Sequence, residues 1–348
     1  MNENPQIQEI HTLIQSLCAD DYNALLNQMN LDEKAINQAA DALHRIIFRE
    51  RKINQDVVKH GRTSQGRQRY LDKNTGRTLS DTDRSIVSRT KKTYKQWEQY
   101  IRLMLYGLSL RKIAKEIDIS TTTAFAWRHK VIEAIKDYQE EELLSGEIEM
   151  DETYFLLNMK GSWKHKRMPR KAKKSGAPSM YRGISNEQVC VLVAIDENDR
   201  ILSKVIGQGH PTKNEIWRAC QGHIEPNSHV TTDSKAAYVE VSKQLECSIV
   251  QIPSGKQTID GYSLGVINNY HSELKTWMRR FRGVSTKHLD GYLAWFRFMK
   301  YLTYQMASNT HAGHALKYSI SNDVAMTIND IHNRPFPVDI LKPYQHLS

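Results

Sequence analysis

The sequence lacks the features that mark three common classes of protein. No apolar run is long enough to cross a bilayer, so we expect no membrane contact. The N-terminal residues 1–5 lack the charged and apolar regions of a signal peptide. Its four cysteines, Cys18, Cys190, Cys220 and Cys247, include no Cys-x-x-Cys pair, which argues against a disulfide framework and against a zinc site. We therefore expect a reduced cytoplasmic protein.

What the chain does contain is length and positive charge. Its 348 residues, 39% of them hydrophobic, are enough for two or three domains with real cores. Lysine and arginine total 49 against 39 acidic residues, which gives a net charge of +10. A basic excess of this kind favours a polyanionic partner, and nucleic acid is a better candidate than a membrane surface.

The N-terminal part divides by composition into two modules. Residues 1–51 carry apolar side chains at helical spacing, for example Ile10, Leu13 and Leu17, which predicts a helical leader. Residues 52–90 are rich in glycine, serine, threonine and basic residues. Short strand-like runs separated by turn residues predict a basic, hairpin-like module there.

Residues 91–140 have the pattern of a helix-turn-helix. Leu110, Ile113 and Ile117 would line one face of a first helix, and Ser120 can cap a second. We expect this second helix to expose residues suited to phosphates and base edges. An ordinary helical hairpin is the alternative interpretation. The residues expected to be exposed are Thr121, Thr122, Arg128 and His129.

From residue 146 onward the pattern changes to strands. Residues 147–151 alternate with period two, 189–195 form a buried apolar run, and 201–206 follow after a turn. A helix over 213–223, a strand over 229–232 and helices after Gly265 complete the pattern. The fold class is therefore α/β, with an RNase H-like domain over 146–310 and a C-terminal tail over 311–348.

Two aspartates follow apolar-alternating runs, and each is a candidate metal ligand. We expect Asp151 and Asp233 at the ends of two strands, with Asp151 on the same face as Glu147 and Glu149. Phosphoryl transfer on DNA uses two divalent cations about 3.5–4 Å apart, held mainly by carboxylates. The alternatives are a solvated edge for Asp151 and a helix cap for Asp233.

A third ligand is expected on the helical segment that begins near Asn268. At about 100° per residue, His271 and Lys275 fall near the face of Asn268, whereas Glu273 lies about 140° away. Glu273 is therefore a poor ligand. Asn268 offers a carbonyl oxygen, Lys275 a phosphate contact and His271 a contact with the terminal nucleotide or a hydroxyl, although a helix surface without contacts is also possible.

A strongly basic loop lies between the first two strands of this domain, over residues 160–182. Such loops are often only solvated, but near a DNA-cleaving centre this one could become ordered on bound DNA. Its candidate DNA contacts are Lys164, Lys166, Arg167, Arg170, Lys171, Lys173 and Lys174.

Together these segments resemble the ISXO-like insertion-sequence transposases, a branch of the DDE superfamily. The resemblance covers roughly residues 147–298. It implies an RNase H-like domain that cuts and joins DNA ends with Mg²⁺, and it implies that asparagine followed seven positions later by lysine is accepted at the third ligand position. The motifs that carry it are Met150-Asp151-Glu152-Thr153-Tyr154, Thr232-Asp233-Ser234-Lys235-Ala236-Ala237-Tyr238, Ile267 to Lys275, and Phe281 to Phe296.

The N-terminal half resembles the zinc ribbon and helix-turn-helix of that family, with one departure. Asp72 and Thr75 stand where a cysteine pair would fall, and Arg49 and Lys52 replace the other pair. These residues cannot hold zinc tetrahedrally, so we predict a zinc-free, ribbon-like module. Its basic residues could still grip phosphates; the candidates are Arg67 and Arg69.

The resemblance implies a bacterial, nucleoid-associated transposase that binds the terminal inverted repeats of its insertion sequence and performs Mg²⁺-dependent strand cleavage and strand transfer. Two Mg²⁺ ions, with Mn²⁺ as a substitute, would be bound by Asp151, Asp233 and Asn268. The expected partners are transposon-end and target duplex DNA, within a homodimer or larger synaptic complex. The alternative is a DNA-binding regulator or inactive relic whose RNase H-like domain no longer cuts.

Overall fold

The computed structural model describes residues 42, 56–63, 68–80, 82–88, 90–136, 138, 143–162, 178–305, 311–324 and 326–347. Except for residue 42, the predicted helical leader lies outside these residues. The chain divides into two compact units. The first comprises Met1–Ile135 with Leu302–Thr327, and the second comprises Lys136–Tyr301 with Ile328–Ser348.

The first unit begins with a small antiparallel sheet in the order β1-β2-β3. Its strands are β1 (Val57–Arg62), β2 (Gln68–Asp72) and β3 (Thr78–Ser80). The turn between β2 and β3 is closed by Asp72, whose carboxylate accepts from the amide of Asn74 at 2.9 Å and from the hydroxyl of Thr75 at 2.8 Å. Hydrogen bonds between Asp72 and Thr75 thus close the turn at the two positions where the sequence resemblance would place a cysteine pair.

Helices make up the rest of this unit, and serine or threonine begins each of the first three. Thr93, Ser109 and Ser120 accept amide hydrogen bonds as N-caps, as the sequence predicted for Ser120. Trp97 and Trp127 stack with ring centroids 3.6 Å apart and join the first helix to the third. The helices are α1 (Tyr94–Leu105), α2 (Leu110–Glu116), α3 (Thr121–Ala134) and, packed on α1, α8 (His311–Ser321).

The second unit is built on a five-stranded mixed sheet in the order β6-β5-β4-β7-β8. The first three strands along the chain pair antiparallel, whereas β7 and β8 run parallel to β4. This arrangement is consistent with the predicted RNase H-like fold. The strands are β4 (Glu147–Leu156), β5 (Gln188–Asp196), β6 (Ile201–Gln208), β7 (His229–Asp233) and β8 (Ser248–Ile252); a separate hairpin pairs β9 (Thr258–Ile259) with β10 (Tyr262–Ser263).

Helices cover both faces of this sheet. On one face, Ile148 and Met150 form a core with Ile216 of α4 (Lys213–Cys220) and Tyr238 of α5 (Ala236–Gln244). On the other, α6 (Gly265–Arg279) packs against β4 and β5. Aromatic contacts such as Trp277–Trp295 tie α6 to α7 (Leu289–Gln305), which follows the short 3-10 helix Thr286–His288.

The last residues of the chain, predicted as a tail over 311–348, contribute to both units. Residues 311–324 contain α8, and residues 328–347 contain α9 (Ile328–Asn333) and the 3-10 helix Lys342–Leu347. In the second unit the buried hydroxyl of Tyr344 donates to Glu187 at 2.8 Å. None of the helices among the described residues is long and apolar enough to span a bilayer.

Candidate active site

Asp151 lies in the middle of β4, and the prediction that it ends a strand is wrong. The ten-residue strand continues to Leu156 because Thr153, Tyr154 and Phe155 are good strand formers that pair along β5. The predicted alternation is confirmed up to this point, since Ile148 and Met150 are buried in the core while Glu149 and Asp151 are half-buried on the opposite face.

Asp233 does end its strand, and the register explains why it meets Asp151. The parallel pairing of β4 with β7 matches Glu149 with Thr231, so two residues further along each strand Asp151 and Asp233 stand at the same level. Asp233 accepts from the amide of Lys235 at 3.2 Å, and Lys235 itself is the N-cap residue of α5. Asp233 therefore does not occupy the N-cap position.

The two aspartates share their site with two residues to which the sequence reasoning gave no role. Carboxylate oxygens of Asp151, Glu152 and Asp233 all lie within 4.8 Å of one another. The Nζ of Lys235 pairs with Glu152 and lies 2.9 Å from Asp233 Oδ2 and 3.9 Å from Asp151 Oδ1. The sequence motifs could have pointed to both residues, because Glu152 directly follows Asp151 and Lys235 lies two positions after Asp233.

Helix α6 begins against the same side of the sheet. The amide of Ile267 donates to Glu149 Oε2 at 2.9 Å, which fixes the first turn of the helix at β4. One turn later, His271 Nδ1 lies 3.9 Å from Asp151 Oδ2. Asn268 lies between these two contacts in sequence and is exposed in the first helical turn. The structure thus holds the backbone around Asn268 beside the acidic cluster.

His271 is buried, with 7% of its surface exposed, so its neighbour in the structure is Asp151 rather than solvent. Burial, assisted by the charge of Lys275, lowers the pKa of His271 to about 4. The imidazole is therefore neutral near pH 7. The sequence suggested contact with a nucleotide, and burial of the side chain does not favour that role.

Lys275 is exposed two turns after Asn268, as predicted. It borders an open groove of about 320 Å³ together with Arg279, Asn158 and Met278. Glu273, which the helix geometry disfavoured as a ligand, forms an ion pair with Lys300 of α7. Lys275 and Arg279 therefore offer cations to the groove, while Glu273, the one acid of α6, is paired on another face of the helix.

The donor set of the cluster fits a hard divalent cation. Carboxylate oxygens are the ligands that Mg²⁺ and Mn²⁺ prefer, and the carbonyl of Asn268 would add a neutral one. Burial, more than any other factor, raises the pKa of Asp151 to about 6. A cation that binds the ionised form would offset this cost of burying the charge.

The candidate DNA-binding residues of the first unit are only partly confirmed as exposed. Thr121 and Thr122 are exposed at the start of α3, whereas Arg128 and His129 are buried, and the prediction that they are exposed is wrong. Arg128 and His129 lie on the face of α3 that packs against the neighbouring helices. The sequence pattern alone did not show which face of α3 would be buried.

Of the remaining predicted DNA contacts, Arg69 lies among the described residues. Arg69 is half-buried on β2, with a guanidinium nitrogen 3.5 Å from the hydroxyl of Thr78. The other candidates lie outside the described residues: Arg67, Lys164, Lys166, Arg167, Arg170, Lys171, Lys173 and Lys174.

The second unit thus combines a mixed α/β sheet, consistent with an RNase H-like fold, with an acidic cluster formed by neighbouring strands. Residues 143–300 match the family model described as the ISXO2-like transposase domain. The resemblance that the sequence motifs predicted is therefore confirmed over residues 143–300.

Comparison with curated proteins finds no match. Among solved structures, the Mos1 transposase paired-end complex with left transposon end is 10% identical, with a TM-score of 0.26, and the match covers 97% of this chain and 99% of that chain. The intasome of simian T-cell lymphotropic virus, in complex with PP2A regulatory subunit B56 gamma, is 13% identical, with a TM-score of 0.25 and coverage of 68% and 75%.

Proposed function

We propose that the protein is a DNA transposase that binds the terminal inverted repeats of its own insertion sequence and catalyses metal-dependent strand cleavage and strand transfer at Asp151, Asp233 and Asn268. The observation that carries the proposal is the meeting of Asp151 and Asp233, which come from neighbouring parallel strands to within 4.8 Å of each other. The transposase family match over residues 143–300 supports it.

Each residue of the site has a separate task in this proposal. Asp151, Asp233 and the Asn268 carbonyl hold the divalent ions, Mg²⁺ or Mn²⁺. When bound, these ions supply activation of the attacking oxygen and stabilisation of the leaving oxygen. Glu149 positions Asn268 by holding the start of α6. His271, neutral and buried beside Asp151, limits the access of water to that carboxylate.

DNA would approach along the exposed cations of α6. Lys275 and Arg279 are one helical turn apart and border the same groove. They can therefore contact successive phosphates of the DNA strand whose end lies at Asp151. The first unit, with Thr121 and Thr122 at the exposed start of α3, would bind the terminal repeat. Joining two ends requires a homodimer or a larger synaptic complex.

Nicking of a duplex that carries the element's terminal repeat, in Mg²⁺ and then in Mn²⁺, tests the proposal. We expect cleavage by the wild type and a loss of at least a hundredfold in Asp151→Ala and Asp233→Ala. Each variant removes a carboxylate ligand, and Glu152, the other carboxylate of the cluster, is paired with Lys235. Binding of the same duplex without metal should persist in both variants, since the first unit is unchanged.

Asn268→Ala and Asn269→Ala form a matched pair for the third ligand. Both residues are exposed asparagines near the start of α6, but they project about 100° apart. We expect the first variant to lose cleavage and the second to retain it. Cleavage that survives Asp233→Ala would refute the centre, and a wild type that binds but never nicks would favour a DNA-binding relic instead.

A further inference from the structure

Lys235 is held at the acidic cluster by its backbone as well as by its side chain. It follows β7 directly, and the side chain of Gln251 on β8 donates to the carbonyl of Lys235 at 3.0 Å and to that of Asp233 at 3.1 Å. The short segment from Asp233 to Lys235 is therefore fixed to the sheet. The ammonium group of Lys235 lies between the carboxylates of Asp151, Glu152 and Asp233.

Glu152 is the anchor of this lysine. Its side chain is fully buried, whereas one fifth of the Asp151 side chain and one third of the Asp233 side chain are exposed. A buried carboxylate requires a cation or several donors, and Lys235 supplies the hydrogen bond that the structure shows for Oε2. No hydrogen bond to Glu152 Oε1 meets the geometric criteria, although the buried hydroxyl of Tyr238 interacts with this carboxylate. Among the described residues, Lys235 is the cation that pairs with Glu152.

The ammonium group and a divalent ion would compete for the same oxygens. A bound Mg²⁺ lies about 2.1 Å from each of its oxygen ligands. The Nζ of Lys235 already lies 2.9 Å from Asp233 Oδ2 and 3.9 Å from Asp151 Oδ1. Two cations cannot share that space, whereas Glu152 offers the ammonium a place outside it.

We propose that Lys235 is a resident counter-ion of the metal centre, which a divalent cation displaces from Asp233 and Asp151 while Glu152 retains it. Lys235, held by Glu152, would keep Asp151 and Asp233 close together before the metal ion binds. The strength of this contact would set the metal affinity of the site. Lys235 and Glu152 are thus positioning residues. This inference rests on the proposed function, because it takes Asp151 and Asp233 as the metal ligands.

The test is Mn²⁺ binding to the full-length protein, measured by titration calorimetry at pH 7.5. In Lys235→Met we expect binding about tenfold tighter, since the competing cation is gone and the side-chain stem remains. In Glu152→Gln we expect binding several-fold weaker, since the ammonium loses its alternative partner. Lys243→Met, which removes an exposed lysine from the same helix, should bind Mn²⁺ as the wild type does.

The double variant Glu152→Gln/Lys235→Met separates this role from a general effect of charge. If Glu152 acts only through Lys235, its loss changes little once Lys235 is absent, and the double variant binds about tenfold more tightly than the wild type. If the two changes simply add, the several-fold loss offsets most of the tenfold gain, so the double variant binds well short of tenfold more tightly than the wild type and the proposal is overturned. Lys235→Met leaves the buried carboxylate of Glu152 unpaired and could fail to fold. The double variant has no such carboxylate, so its Mn²⁺ affinity tests the proposal in that case.

Asp233→Asn distinguishes failure of this inference from failure of the proposed metal centre. Loss of Mn²⁺ binding in Asp233→Asn, together with unchanged or weaker binding in Lys235→Met, removes the counter-ion role and leaves the metal centre standing. Wild-type affinity in Asp233→Asn removes both. Circular dichroism of each variant verifies that affinities are compared between folded proteins.

Discussion

Arg128 shows how the burial of one residue decides between two roles for a basic side chain. Only 3% of it is exposed, and its guanidinium donates to the carbonyl of Leu108 at 3.0 Å, which joins α3 to the residues before α2. A buried cation is retained where it satisfies backbone acceptors. Arg128 is therefore part of the packing of the first unit, whereas Thr122, exposed on the first turn of the same helix, remains available to DNA.

Replacing Arg128 with alanine should destabilise the first unit by about 2 kcal/mol, because it removes packing and leaves the Leu108 carbonyl without this donor. Urea unfolding measures the change. Thr122→Ala is the control and should leave the free energy of unfolding within about 0.5 kcal/mol of the wild type. An Arg128→Ala variant of wild-type stability that binds DNA less well would show that the residue contacts DNA after all.

At the scale of elements, the start of α6 depends on Glu149 of β4. The carboxylate accepts from the Ile267 amide at 2.9 Å, where the helix dipole and the unpaired amides favour a negative charge. Burial raises the pKa of Glu149, and the hydrogen bonds from Ile267 and Val266 oppose that shift. These hydrogen bonds tie the first turn of the helix that carries Asn268 to the strand that carries Asp151.

Glu149→Ala should lower the free energy of unfolding by about 1–2 kcal/mol and weaken Mn²⁺ binding, since the first turn of α6 loses its fixed position. Glu147→Ala is the matched control, because Glu147 is an exposed glutamate on the same face of the same strand. Calorimetric titration and urea unfolding measure the two effects. Equal behaviour of the two variants would show that Glu149 does not position the helix.

The elements differ in how far the sequence could predict them. The period of two over residues 147–151 gave the faces of β4 correctly, because alternation follows from strand geometry alone. It could not give the strand's length, since Asp151 and Glu152 resemble a strand end unless their pairing with β5 is known. The contact of Lys235 with Glu152 joins residues 83 positions apart, so it depends on the sheet order, which no local pattern contains.

At the scale of the whole molecule, the second unit buries two histidines that are neutral near pH 7. Burial, together with Lys287, Arg334 and His332, lowers the pKa of His288 to about 3, and burial lowers that of His271 to about 4. Below the ordinary histidine pKa of 6.5, the unfolded chain takes up protons that the folded unit does not. Each histidine therefore makes the unit less stable as the pH falls.

Asp151 has the opposite effect on stability. Its pKa is raised from 3.8 to about 6, so between these values the folded unit binds the additional proton and gains stability as the pH falls. The slope of wild-type stability against pH therefore combines contributions of both signs. A single histidine must be isolated by comparing a variant with the wild type at each pH.

His288→Gln makes that comparison. The contribution of His288 to stability is present above pH 6.5 and is lost as the pH falls toward 3. Between pH 7 and pH 5, this amounts to about 2 kcal/mol for a shift of this size. We expect the variant to be less stable than the wild type at pH 7, because it loses buried packing, and the difference to shrink by about 2 kcal/mol at pH 5. Urea unfolding at the two pH values measures both differences, and a gap that stays constant would mean that His288 is protonated in the folded unit at the same pH as in the unfolded chain.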